Sequence, residues 1–117
     1  TFIRYSKNKM DFHEIVKRID KSVDIYHCSE LKAGTPLFGH SRSLSEEIRQ
    51  VTSKAIIACG GVSNRQYAEK LLNSGTVDLV AFGRNLIANP DLVQLLRSNR
   101  MDRAVKYEHD THDQCIE

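Results

Sequence analysis

The sequence predicts an α/β fold in which about four parallel strands alternate with helices. Short apolar segments typical of buried strands recur along the chain, and segments with helical spacing separate them. Strands joined through helices form right-handed crossovers and are therefore expected to be parallel. The 117 residues are about half of the roughly 250 that a complete (β/α)8 barrel needs. We therefore expect a partial barrel.

The first half of the chain is expected to run strand, helix, strand, loop, helix, strand. The strands are predicted at "TFIRYS", at residues 23–29 and at 54–59, and the first helix at 12–20. The intervening segment "ELKAGTPLFGHSRS" contains two glycines and a proline, so it is expected to be a long loop. A capping box from Ser43 to Glu46 then predicts a helix that ends near Thr52.

The second half repeats the same alternation. The S-x-x-Q pattern from Ser63 to Gln66 predicts a helix start, and Gly75 predicts its end. The segment "VDLVAF" is nearly all apolar, as expected for a strand buried on both faces. "NLIA" is a candidate extra helical turn, and Asn89, Pro90 and Asp91 have the order of a cap, a first-turn proline and an acid at a helix start.

We divide the chain into a partial barrel at residues 1–99 and a polar C-terminal tail at residues 100–117, expected to have little order. In the tail, His109, His112 and Cys115 have a spacing that could serve a metal ion. Three such residues in a polar tail are more simply interpreted as solvated side chains. We therefore predict no metal site.

Composition excludes several function classes. The net charge is +2 with no stripe of basic residues, which argues against nucleic-acid binding. No apolar run has the length of a membrane span, and the N-terminus lacks the pattern of a secretory leader. Three cysteines form no C-x-x-C pair and suit a reducing compartment. A cytoplasmic location is therefore expected.

Two glycine-containing turns carry the predicted chemistry. Gly60 and Gly61 follow the third strand, and Gly83 and Arg84 follow the fourth. Glycine amides can approach an anion closely, a following helix start favours negative charge, and arginine binds two phosphate oxygens at once. We expect the two turns to bind one phosphate, although a glycine pair is also common in ordinary tight turns.

Arg4 is a third candidate because a guanidinium in the middle of a strand must find an electron-rich partner or reach solvent. A reduced flavin would supply such a partner at N1 and the C2 carbonyl. An ion pair with an acidic loop residue is the alternative.

The segments "IRYS", "IIACGGVSN" and "VDLVAFGRNLIANPDLVQLL" closely resemble the C-terminal part of the old yellow enzyme family. The resemblance runs from Phe2 to Arg97 and is most specific from Asp78 to Leu92. The family comprises FMN-dependent NAD(P)H:flavin oxidoreductases and ene-reductases on a TIM barrel. The resemblance therefore implies the C-terminal half of a TIM barrel, with FMN as cofactor and NADH or NADPH as hydride donor.

The resemblance also implies residue roles. Arg4 is expected to face the flavin pyrimidine, and Gly60, Gly61, Gly83 and Arg84 are expected to contact the FMN phosphate. The family's substrate-binding pair and proton-donating tyrosine belong to the first half of the barrel. No catalytic residue is therefore assigned, and none of the chain's four tyrosines (Tyr5, Tyr26, Tyr67 and Tyr107) receives the donor role.

The implied function is hydride transfer from NAD(P)H through FMN to an activated alkene or similar small-molecule acceptor. We interpret the chain as the C-terminal portion of such an enzyme. Alone it is expected to form a homo-oligomer or to associate with a complementary N-terminal half-barrel, because its sheet would have open edges. A non-catalytic phosphate- or nucleotide-binding module is the alternative. Another phosphate-binding barrel, such as a dihydroorotate dehydrogenase relative or a sugar-phosphate enzyme, fits "VAFGRNLIANPDL" less well.

Overall fold

A computed structural model describes residues 2–4, 12–36 and 39–109 of the chain, the first three by their backbone only. The strands are β1 (Phe2–Arg4), β2 (Ile25–Ser29), β3 (Ala55–Cys59) and β4 (Leu79–Ala81). The helices are α1 (Phe12–Ile19), α2 (Leu44–Arg49), α3 (Arg65–Asn73), α4 (Arg84–Ala88) and α5 (Leu92–Arg97). Short 3₁₀ helices lie at Asp20–Ser22 and Met101–Arg103.

The four strands form one sheet in the order β1-β2-β3-β4, and each neighbouring pair is parallel. This confirms the predicted strand–helix alternation. The register aligns Arg4 with Ser29, Ser29 with Cys59 and Cys59 with Ala81. Because all strands run in one direction, this row of residues lies at the carboxyl edge of the sheet.

The two faces of the sheet are covered unequally. On the helix-covered face, the alternate residues of β2 and β3 are fully buried and pack with residues of α1, α2 and α3. These buried strand residues are Tyr26, Cys28, Ile56 and Ala58. Residues of the opposite face are only half-buried, and Leu79 on the edge strand β4 is 50% exposed. A sheet with one covered face and open edges is the arrangement expected of a partial barrel.

Helix α2 begins as the sequence predicts. The Ser43 hydroxyl accepts a hydrogen bond from the amide of Glu46, and the Glu46 carboxylate accepts one from the amide of Ser43. This reciprocal pair satisfies two amides that a helix start otherwise leaves unpaired. Gly75 follows α3 with a φ of 75°, a conformation that glycine adopts without strain.

Two other predicted helix starts were wrong in detail. Helix α3 is capped by Asn64, whose side chain accepts a hydrogen bond from the Tyr67 amide, and not by Ser63. Asparagine is at least as good a cap as serine, and it lies next to the first helical residue. Helix α5 begins at Leu92 without a side-chain cap, so Asn89 does not have the predicted capping role.

The expectation of little order after residue 99 was wrong for the part of the tail that the structure describes. Met101–Arg103 form a 3₁₀ helix, and Val105 is bound to Asn89 by a pair of hydrogen bonds. Sequence periodicity does not detect such a segment because its order comes from contacts with α5 and with the Asn89 side chain. His112 and Cys115 lie outside the described residues, and no cluster of potential metal ligands occurs among the described ones.

The amino ends of β3 and β4 are joined by a polar network. The Arg49 guanidinium donates to the carbonyls of Thr76 and Lys54 and to the carboxylate of Asp78. Asp78 also accepts a hydrogen bond from the amide of Ile56. The network stabilises the amino edge of the sheet and does not extend to the carboxyl edge. None of the helices in the described part of the chain has the length and apolar character of a membrane span.

Candidate functional site at the carboxyl edge of the sheet

A cavity of about 820 Å³ lies at the carboxyl edge of the sheet. Its walls come from the ends of β2, β3 and β4, the turns that follow them and part of the C-terminal tail. The charged residues and glycines of the lining are Glu30, Gly60, Gly61, Gly83, Arg84 and Lys106. The volume is within the range of small-molecule and cofactor sites, and the carboxyl edge is where parallel α/β enzymes bind ligands.

The turn after β3 contains the glycine pair that the sequence singled out. Gly60 has a φ of 130°, and a Cβ atom there would lie 1.7 Å from the Glu30 carbonyl oxygen. Gly61 has a φ of 59°, and a Cβ atom there would lie 3.0 Å from the Leu31 carbonyl oxygen. The Gly60 carbonyl accepts a hydrogen bond of 2.9 Å from the Ala33 amide. The fold therefore requires glycine at Gly60, where the chain after β2 crosses directly over the turn. At Gly61 the positive φ angle and the tight contact favour glycine.

The same turn still offers donors to a ligand. No described residue accepts a hydrogen bond from the main-chain amides of Gly61 or Ser63. Both residues line the cavity. Amides that a fold leaves unpaired next to a cavity are suited to an anion.

The turn after β4 differs in its steric environment. Gly83 has a negative φ, and a Cβ atom there would meet nothing within 4 Å. Packing therefore does not require glycine at this position. The space that a side chain would occupy belongs to the cavity, which Gly83 lines. Arg84 is exposed, and no described carboxylate forms an ion pair with it.

A hydrogen bond connects the two turns. The Asn85 side chain donates to the Val62 carbonyl over 2.7 Å, and both residues line the cavity. Asn85 follows Arg84 directly, and Val62 follows Gly61. The bond therefore sets the spacing between the two turns, a role that the sequence analysis missed because an isolated asparagine gives no such signal.

The C-terminal tail contributes two lining residues, Lys106 and Tyr107. The Arg84 guanidinium carbon lies 5.8 Å from the centre of the Tyr107 ring, within the range of a cation–π contact. The sequence analysis missed both residues because it treated the tail as having little order.

Arg4 lies at the carboxyl end of β1 in the register row of Ser29, Cys59 and Ala81. Those three residues line the cavity. The backbone of Arg4 is therefore placed at the edge where the site lies. Its side chain falls outside the described residues, so the expected flavin contact stays a prediction.

Glu30 is the acidic residue of the cavity lining and is only 6% exposed. One carboxylate oxygen accepts a hydrogen bond from the Ser45 amide, while the other has no partner among the described residues. Burial raises the pKa of Glu30, and hydrogen bonds from Ser45 lower it in part. Burial also raises the pKa of the Cys59 thiol, which makes this cysteine a poor nucleophile at neutral pH.

Two tyrosines have evident structural roles. The Tyr26 hydroxyl donates to Asp20, and the Tyr67 hydroxyl donates to the Ala33 carbonyl. Burial and the Asp20 carboxylate raise the pKa of Tyr26 to about 12. Neither of these two tyrosines lines the cavity.

A family model decides the relationship. Residues 4–103 match the NADH:flavin oxidoreductase / NADH oxidase family. The chain belongs to this family. FMN and a nicotinamide hydride donor are the family's cofactors, so the expected cofactor chemistry is confirmed at the level of the family.

Individual relatives agree with this membership. The chain is 35% identical over 63 residues to an NADH oxidase of Thermoanaerobacter brockii, covering 54% of this chain and 10% of that protein. It is 28% identical over 103 residues to 12-oxophytodienoate reductase 1 of Oryza sativa subsp. japonica, covering 82% of this chain and 27% of that protein.

A solved structure shows the same fold. A variant of NCR from Zymomonas mobilis superposes with a TM-score of 0.69 at 26% identity, covering 91% of this chain and 36% of the other. NCR is described as an old yellow enzyme homologue, so the predicted resemblance and the partial TIM barrel are both confirmed. In these matches the chain spans roughly a third or less of its relatives' length.

The residues of the cavity fit the phosphate end of FMN. The lining contains two cations, Arg84 and Lys106. It also contains the amides of Gly61 and Ser63, for which the described part of the chain provides no acceptor. The space beside Gly83 gives an anion close access to main chain. A doubly charged phosphate requires this kind of donor set.

Proposed function

We propose that the chain forms the FMN phosphate-binding part of an oxidoreductase of the old yellow enzyme type. One observation carries the proposal: the two turns that sequence analysis selected line one cavity, together with an arginine that has no described acidic partner. Family membership supplies the identity of the flavin. The specific acceptor, an activated alkene or a similar compound, is part of the proposal.

The chain's own residues would bind and orient the cofactor. Arg84 would hold two phosphate oxygens, and the amides of the glycine turn would donate to the same group. Arg4, at the carboxyl end of β1, would stabilise negative charge at the pyrimidine end of the reduced ring. When bound, FMN supplies the hydride chemistry between NADH or NADPH and the acceptor.

The incomplete sheet leads to a proposal about partners. The outer edges of β1 and β4 have no neighbouring strand among the described residues. We propose that further strands close them, either from a complementary N-terminal half-barrel or from a second copy of this chain. Unpaired strand edges associate with other strands when they are left open.

The free thiols of Cys28 and Cys59 support a reducing, cytoplasmic environment for the assembly.

The decisive experiment measures flavin binding and reduction separately. The protein that carries this chain is purified, and its absorbance near the flavin bands is recorded before and after anaerobic addition of NADH or NADPH. The proposal expects flavin bands that bleach with either nucleotide and return when an activated alkene is added. Protein that binds no FMN when the cofactor is supplied would contradict the proposal.

The 117-residue chain alone provides the second arm. Binding of FMN without reduction would favour the alternative of a phosphate- or nucleotide-binding module for the chain by itself. Reduction by the isolated chain would show that this part suffices for hydride transfer from the nicotinamide. Light scattering on the same sample tests the partner proposal, because a well-behaved monomer would contradict it.

A further inference from the structure

The segment at residues 104–107 returns to the cavity after α5. Asn89 holds it in place: its side-chain nitrogen donates to the Val105 carbonyl over 2.9 Å, and its oxygen accepts from the Val105 amide over 2.6 Å. The same nitrogen donates to the Asn85 carbonyl in α4. Asn89 is only 4% exposed, so its amide group is buried and needs these hydrogen-bond partners.

This attachment determines where the next two residues lie. Lys106 and Tyr107 follow Val105 directly and both line the cavity. Tyr107 is half-buried and faces the Arg84 guanidinium at 5.8 Å. The tail therefore contacts the residue on which the proposed phosphate site depends.

The charges of the lining favour an anion at this end. Lys106 is exposed, and no described carboxylate forms an ion pair with it. The acid of the lining, Glu30, is buried and bound to the start of α2. The lining therefore holds two cations against one carboxylate, which is itself engaged by the Ser45 amide.

We propose that residues 104–107 complete the phosphate site. Lys106 is a second cationic contact for the phosphate, and Tyr107 is a positioning residue that holds the Arg84 guanidinium beside it. Asn89 is a positioning residue for the whole segment. The inference rests on the proposed function, because it requires the anion to be the FMN phosphate.

The test compares FMN with riboflavin, which lacks the phosphate. Dissociation constants for both are measured by fluorescence titration of the purified protein stripped of flavin. Their ratio reports the phosphate contribution alone, because a general loss of folding or of ring binding changes both constants together. The ratio is measured for the unaltered protein and for Lys106→Gln, Lys106→Arg, Tyr107→Leu, Tyr107→Phe and Asn89→Ala.

The expected changes follow from the exposure of each group. Lys106→Gln should lower the preference for FMN about three- to tenfold, as expected for a hydrogen-bonded charge at a partly exposed site, and Lys106→Arg should restore it. Tyr107→Leu should lower the preference for FMN over riboflavin about two- to fivefold, because the cation–π contact is lost. Tyr107→Phe keeps the aromatic ring and should leave this preference unchanged. Asn89→Ala should lower the preference by at least as much as Tyr107→Leu. Arg103→Gln is the matched control, since it removes a tail cation that does not line the cavity.

The outcomes separate the two proposals. If the unaltered protein shows no preference for FMN over riboflavin, the proposed function fails and this inference fails with it. If the preference exists and Arg84→Ala removes it, but the Lys106, Tyr107 and Asn89 variants match Arg103→Gln, only this inference is overturned. A tighter FMN affinity in Tyr107→Leu would also overturn it, because Tyr107 would then compete with the phosphate for Arg84.

Discussion

The two turns that line the cavity contain glycine for different reasons. In the turn after β3, Gly60 and Gly61 have positive φ angles and lie against the backbone of residues 30–32. The fold cannot accept a side chain at Gly60, and one at Gly61 would be strained. In the turn after β4, Gly83 has open space where a Cβ atom would be. At Gly83, packing does not explain the absence of a side chain, and the open space belongs to the cavity. The same residue type in two equivalent positions is therefore explained by packing in one turn, whereas in the other we propose that it leaves room for the phosphate.

The largest effect should come from Gly60→Ala. A Cβ atom 1.7 Å from the Glu30 carbonyl oxygen cannot be accommodated without moving β2 away from β3. We expect the free energy of unfolding to fall by about 3–5 kcal/mol, measured by urea denaturation.

Gly83→Ala is the matched control for that change. It should alter the free energy of unfolding by less than about 0.5 kcal/mol and weaken FMN binding instead. A Gly83→Ala protein as unstable as Gly60→Ala would remove the distinction between the two turns.

Arg84→Ala should give the largest effect on binding. Loss of charged hydrogen bonds to the phosphate should weaken FMN binding by about 1.5–3 kcal/mol and leave riboflavin binding unchanged. Thermal unfolding without flavin should be nearly unaffected, because the side chain is exposed. Unchanged FMN affinity would exclude Arg84 from the site.

Asn85→Ala tests the connection between the turns. Loss of the hydrogen bond to the Val62 carbonyl should lower the free energy of unfolding by about 1 kcal/mol and weaken FMN binding to a smaller extent than Arg84→Ala. Denaturation and fluorescence titration of the same protein give both values. An unaltered FMN affinity would show that the spacing of the turns does not depend on this bond.

The smallest effect is a pH dependence from Glu30. Its pKa is raised by burial, so the folded state holds the proton more tightly than the unfolded state does. The stability that this group contributes is therefore fully present below the unfolded pKa of about 4.5 and is lost as the pH rises through the folded value. Urea denaturation between pH 4 and about 8 should show this loss in the unaltered protein and a flatter profile in Glu30→Gln. Parallel profiles for the two proteins would show that Glu30 does not cause the dependence.

The sequence alone determined the order of the elements and the edge of the sheet at which the candidate site lies. Apolar runs of strand length separated by helical spacing give parallel strands, and parallel strands bring their carboxyl ends to one edge. The glycine turns after β3 and β4 were therefore predictable as neighbours. The segments "IRYS", "IIACGGVSN" and "VDLVAFGRNLIANPDLVQLL" together indicated the family, and the part from Asp78 to Leu92 was the most specific.

Only the tertiary structure shows which residues outside those motifs line the cavity. Lys106 and Tyr107 reach the cavity because the buried Asn89 binds Val105, a contact between residues 16 positions apart. The local pattern around Asn89 indicates a helix cap instead. Likewise, the sequence does not distinguish Gly60 from Gly83. Only the structure shows that residues 30–32 pack against Gly60, whereas the space beside Gly83 is open. A local sequence pattern reflects only the intrinsic conformational preference of a short segment. The roles of Asn89 and Gly60 depend instead on which distant part of the backbone packs against them.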